Sequence, residues 1–95
     1  MDPVAEGAQE LIERELAGER AGALARAFEA LERALADLES GGGRREPLLA
    51  EARERLWYLV VQREAMGLAR HEVVYELLQV PAEVRRLMGP RRRGC

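Results

Sequence analysis

At 95 residues the chain falls short of two-domain length, so a single small unit is the expectation, one that buries only a modest share of its surface. Its 47% apolar and 34% charged residues exclude a disordered tail, and its wealth of Ala, Leu, Glu and Arg points to an all-α fold. The formal charge of −2 is unevenly spread: residues 1–39 hold ten acids against four arginines, residues 70–95 three acids against six, enough to orient a partner or an antiparallel copy of the chain but too little to announce a nucleic-acid binder.

Helix 1 is predicted over about 3–39. Asp2 is a candidate cap and Pro3 sits in the first turn, where its missing N–H costs little. From Ala21 the apolar residues Leu24, Phe28, Leu31, Leu35 and Leu38 recur at steps of four and three, one stripe on a helix and a coiled-coil-like seam. The first half keeps a different stripe, Val4, Ala8, Leu11 and Ile12, so the seam changes face across Gly18 and Gly22. Those glycines, one turn apart, mark either a bend or, the favoured reading, a continuous helix crossed closely by another. Glu10–Arg14 and Glu29–Arg33 are spaced to pair along the helix.

Ser40-Gly41-Gly42-Gly43 stops the helix and predicts a reversal of the chain. Helix 2, about 47–66, opens with Pro47 in its first turn and ends at Gly67. Its middle, Leu56 to Val61, is apolar right round, which predicts burial on more than one side, Trp57 included. Leu49, Ala52, Leu56, Leu59 and Val60 are expected against helix 1, leaving Trp57, Val61 and Leu68 for the C-terminal helices or another chain. Two short helices follow at about 70–78 and 81–88, the second opened by Pro81 and closed by Gly89-Pro90. Residues 1–90 thus read as one helical domain and 91–95 as a basic tail. At 1.5 Å per residue helix 1 spans about 50 Å and helix 2 about 30 Å, so a hairpin leaves the start of helix 1 to be covered by something else.

Chemistry is harder to find. No apolar stretch approaches the length of a membrane span, the start lacks a signal-peptide pattern, and the sole thiol, Cys95, allows no internal disulfide, so the cytoplasm is expected. Ser40 has no histidine near it, the glycine loop lacks a phosphate-loop context, and no carboxylate pair stands out, so neither enzyme nor cofactor is expected. Gln62, Arg63 and Glu64, near the single histidine His71, form a candidate polar cluster. It either brackets a ligand or metal, with Glu72 and Glu76 close by, or braces helix 3 on helix 2, with Glu64 pairing with Arg63 or capping helix 3; the brace is favoured, because metal sites need several ligands at set spacing. Arg85, Arg86, Arg91, Arg92 and Arg93 are the candidate basic contacts. Residues 73–88 loosely match a helix-turn-helix, though Gln79 stands where a turn glycine is usual and Tyr75 where a small residue is.

The run Trp57 to Leu68, with W-x-x-V-V-Q-R-E then G-L, continued by His71 and Val80-Pro81, resembles a small bacterial family catalogued as a domain of unknown function. Glu15 to Arg20 resembles that family's first helix, so the likeness covers most of the chain outside the tail. It implies bacterial origin and a helical fold, and no activity.

The leading expectation is a non-enzymatic helical module working through protein contacts, as a homodimer, with Leu24, Phe28, Leu31, Leu35, Trp57 and Val61 as candidate interface. A DNA-binding regulator using residues 73–88 is the alternative, and a ligand- or metal-binding bundle around His71 a weaker third.

Overall fold

The computed structural model describes residues 3–41 and 44–91, with side chains described from Gly7 onward; Asp2, Gly42, Gly43, Arg92, Arg93 and Cys95 lie outside the described residues. Four helices follow in order, α1 Pro3–Ser40, α2 Arg45–Ala65, α3 Glu72–Leu78 and α4 Ala82–Arg85, with no strand among the described residues. α1 runs unbroken through Gly18 and Gly22, as expected. It ends where the Ser40 hydroxyl donates to the Asp37 carbonyl at 2.9 Å and Gly41 turns left-handed with φ 63°. Among the described residues no helix crosses closely at the two glycines: a Cβ on Gly18 would meet nothing within 4 Å, and one on Gly22 only the chain's own Arg26. Glu10–Arg14 and Glu29–Arg33 do not close to within 4 Å; the helical pair that forms is Arg55–Glu51 at 2.7 Å.

α1 and α2 make the hairpin. On α1 the buried residues are Ala27, Leu31, Ala34 and Leu38, so the packed face is rotated slightly from the expected seam, with Leu24, Phe28 and Leu35 on its flank. The reason is size. Alanines at 27 and 34, in one buried cluster with Ala52 of α2, allow closer approach of the backbones than the larger side chains do, and these lie at the edges. α2 contributes Leu49, Ala52, Leu56, Leu59 and Val60, the five residues its pattern assigned to helix 1.

α2 begins two residues before Pro47, which is tolerated because the N–H groups of a first helical turn need no partner within the helix. It closes in a Schellman arrangement: Gly67, at φ 81°, donates its N–H to the Glu64 carbonyl at 2.9 Å and Leu68 donates to Arg63 at 2.9 Å. α3 starts two residues late and ends in the same way, Gln79 donating to Glu76 at 3.3 Å and Val80 to Tyr75 at 3.0 Å. Here the left-handed position is held by Gln79, at φ 50°, a conformation that disfavours a side chain. The glycine missing from the turn is therefore missing from a place that has a use for one.

α4 is a single turn, far shorter than the expected 81–88, and Pro81 is its N-cap rather than its first residue. Val84 nevertheless lies wholly enclosed in the core beside Val74 and Val80. The segment is tied to α2 by an Arg45–Glu83 ion pair, by Arg53 Nε donating to the Glu83 carbonyl at 3.0 Å, and by Gly89 donating to the Arg53 carbonyl at 3.4 Å. Arg91 does not open a tail: it pairs with Glu51, and its backbone N–H donates to Glu54 at 2.9 Å.

The molecule measures 60 × 31 × 21 Å, its long axis set by α1. α2 ends opposite the middle of α1, and α3 and α4 fold back along the hairpin instead of covering the rest. Residues 7–21 are exposed on every face, Leu11 at 58%, Ile12 at 55% and Leu16 at 45%. The start of helix 1 is thus a projecting stalk.

Candidate functional site

Arg63, His71 and Glu64 meet where α2 hands over to α3. The Arg63 Nε–H donates to His71 Nδ1 at 3.3 Å, and its Nη2 donates to the Arg70 carbonyl at 2.9 Å. Since arginine can only donate, Nδ1 must accept, so the ring proton resides on Nε2, which faces Glu64 Oε1 at 3.2 Å. Both ring nitrogens are thereby engaged within the chain. The Schellman turn at Gly67 sets this geometry, reversing the chain so that His71, the N-cap of α3, returns to the last turn of α2. Two details depart from expectation. Glu64 contacts the His71 ring and neither pairs with Arg63 nor caps α3, and Gln62 makes no side-chain hydrogen bond in the group.

Such an arrangement orients α3 on α2, and the burial pattern distributes the effect. His71 is mostly covered while the Glu64 side chain is 62% exposed. Accordingly His71→Ala, which strips a partly buried Arg63 of its acceptor, should cost on the order of 1–3 kcal/mol. Glu64→Ala should cost less, about 1 kcal/mol or below, because its hydrogen bond to the ring is made by a largely exposed carboxylate. Thermal unfolding of the two variants beside wild type measures both; two variants as stable as wild type would remove the bracing role.

The candidate interface residues separate into groups. Leu31 is enclosed by the chain's own helices and offers no surface to a partner. Leu24, Phe28 and Leu35 are partly buried against the core. Trp57 at 36% and Val61 at 41% exposure lie open on the outer side of α2, with Tyr58 and Leu68, so the C-terminal helices do not cover them and the expected burial of Trp57 is not met. The α4 segment is tied to α2 at Arg53. An apolar groove of about 420 Å³ opens on the other side, between α1 and α3, with Leu24, Phe28, Val73 and Leu77 in its walls. Leu11, Ile12 and Leu16, outside the expected interface, are as bare as any of these. Their signal was the stripe in the first half of α1 that leaves the seam.

Among the described residues the candidate arginines each have a contact within the chain. Arg85 lies over the Tyr75 ring, 5.4 Å from its centroid, Arg86 donates to the Ala82 carbonyl of its own turn at 3.4 Å, and Arg91 is held by Glu51 and Glu54. Nor does one turn of α4 supply the recognition helix that a helix-turn-helix reading requires. Among the described residues no three His, Cys, Asp or Glu side chains gather as a metal site would need, and no buried side-chain nitrogen or oxygen lacks a partner. No described helix is long and apolar enough to cross a membrane.

Residues 3–94 match a Family of unknown function (DUF6665). No curated protein and no solved structure matches the chain.

Proposed function

The chain belongs to that family, and we propose that it is a non-enzymatic helical module that works through protein contacts, in the first place with a second copy of itself. The observation that carries this reading is the stalk. Leu11, Ile12 and Leu16 are exposed on a helix with no other described element against it, although a short isolated helix is marginal in water and Gly7, Gly18 and Gly22 weaken this one further. A second chain would supply the missing apolar cover. The open Trp57 and Val61 on α2 offer further contact area to a partner. With a single cysteine the chain needs no oxidising compartment, and we place it in the bacterial cytoplasm, the origin being what the family resemblance implies.

Sedimentation velocity in reducing buffer tests the reading, the reductant preventing an adventitious Cys95 disulfide. The expected species has twice the 10.7 kDa chain mass. A strictly monomeric protein at high micromolar concentration would contradict it.

A further inference from the structure

α3 is not packed closely on α1, and the gap between them is the apolar groove of about 420 Å³. Buried Leu59 and Val74 are among its walls, with Leu24 and Phe28 on the α1 bank and Val73 and Leu77 on the α3 bank. The last two are 55% and 68% exposed, and Leu77 is the barest large apolar side chain among the described residues. In a helix of seven residues, two bare apolar side chains one turn apart are a large part of what the single chain leaves uncovered.

Carboxylates outnumber cations along both banks. Glu29 and Glu32 line the α1 bank, and Glu72 and Glu76 each precede a wall residue of α3. All four are exposed, and among the described residues none has an ion-pair partner within 4 Å. Glu72 and Glu76 are also four residues apart, a spacing at which like charges destabilise a helix. Among the described residues Arg63 is the one cation in the walls, and its Nε and Nη2 hydrogens are directed to the His71 ring and the Arg70 carbonyl. The other arginines of these stretches, Arg26, Arg33 and Arg70, form no part of the walls.

We propose that this groove is the docking site for a basic amphipathic helix of a partner protein. A groove between two helices accepts the apolar face of a third, presented by side chains at i, i+3, i+4 and i+7. The α1 bank runs from Ala21 to Glu32, about 16 Å at 1.5 Å per residue, so the occupant engages about three of its turns. The acids select its charge. Lysines or arginines flanking the apolar face meet Glu29 and Glu32 on one bank and Glu72 and Glu76 on the other, whereas an acidic helix is repelled by both. The chain's own stalk does not answer this description, since residues 7–20 carry four acids against two arginines. Groove and stalk are therefore separate surfaces, and the proposal stands whether or not the stalk pairs.

Two fluorescently labelled peptides of about 14 residues, roughly four helical turns, serve as probes. One is leucine and lysine patterned as a single amphipathic helix, the other the same pattern with glutamate for lysine. Anisotropy against the full chain in reducing buffer reads binding, and circular dichroism checks the helicity of each variant. The lysine peptide should bind at least about tenfold more tightly than the glutamate peptide. Val73→Ser with Leu77→Ser should weaken it about tenfold or more, through lost apolar burial. Glu29→Lys with Glu32→Lys should abolish or reverse the preference, while Glu10→Lys with Glu13→Lys, the same change of charge on the stalk, should keep it. A lysine peptide that binds no more tightly than its glutamate twin would overturn the proposal. So would binding indifferent to the serine substitutions, a preference that survives the exchange in the groove, or one lost equally on exchange in the stalk.

Discussion

Leu56→Ala is expected to lower the stability of the monomer by about 2–5 kcal/mol, a large share of what a domain of this size possesses. Leu56 is wholly enclosed, on the face of α2 that packs on α1, and is flanked by Ala52 and Leu59, so shortening it opens a space that alanine neighbours cannot fill. Trp57, the next residue, should behave oppositely despite its size. It lies outside the core cluster and is 36% exposed, so Trp57→Ala should cost about 1–2 kcal/mol, well below Leu56→Ala, at dilutions where the chain is monomeric. Urea unfolding of the two variants at low concentration measures the contrast. Equal losses would mean that Trp57 belongs to the core.

The second large effect concerns assembly. Leu11→Glu combined with Ile12→Glu places two charges on the bare apolar stripe of the stalk and should weaken the dimer about a hundredfold or more, since each apolar side chain buried on association contributes about 1.5–3 kcal/mol. Sedimentation at graded concentrations reads this directly. Neither residue contributes to the core of the body, so the dilute, monomeric variant should unfold at the wild-type urea midpoint. A variant that still dimerises like wild type would detach the stalk from the interface.

Much of this architecture is legible in the residues themselves. The five inward positions of α2 follow from the three- and four-residue spacing of Leu49, Ala52, Leu56, Leu59 and Val60, and the chain reversal from the glycines after Ser40. Mismatched helix lengths foretell the stalk. Other features depend on tertiary balance that periodicity does not encode. An apolar run round a helix signals burial on several sides, but α3 and α4 leave Trp57, Tyr58 and Val61 exposed, so the signal at those positions describes a surface and not a core. Counting leucines draws the α1 seam through Phe28 and Leu35, whereas packing distance draws it through Ala27 and Ala34.

The polar cluster shows the same division. Its members are adjacent in sequence or one turn away, so their meeting is foreseeable. Which of them bond is decided by the Gly67 turn, which presents the His71 ring to Arg63 on one side and Glu64 on the other. Arg91 looks like the start of a tail because the run of arginines after Pro90 has no local partner. Its partners, Glu51 and Glu54, lie about 40 residues away in sequence, beyond α3 and α4. The αL conformation of Gln79 likewise has no sequence signal, since glutamine is not a residue that seeks it.

The central claim, that a second copy covers the stalk, predicts that stalk order depends on protein concentration. Hydrogen exchange of the backbone amides of residues 7–20, followed from dilute to high micromolar protein in reducing buffer, measures this most directly. An unpartnered helix this short frays and exchanges quickly, while a paired one is protected. The expected result is fast exchange in dilute solution and protection that rises in step with dimer formation, with the amides around Leu56 protected throughout. Exchange across residues 7–20 that is equally fast at every concentration while the body stays protected would contradict the account.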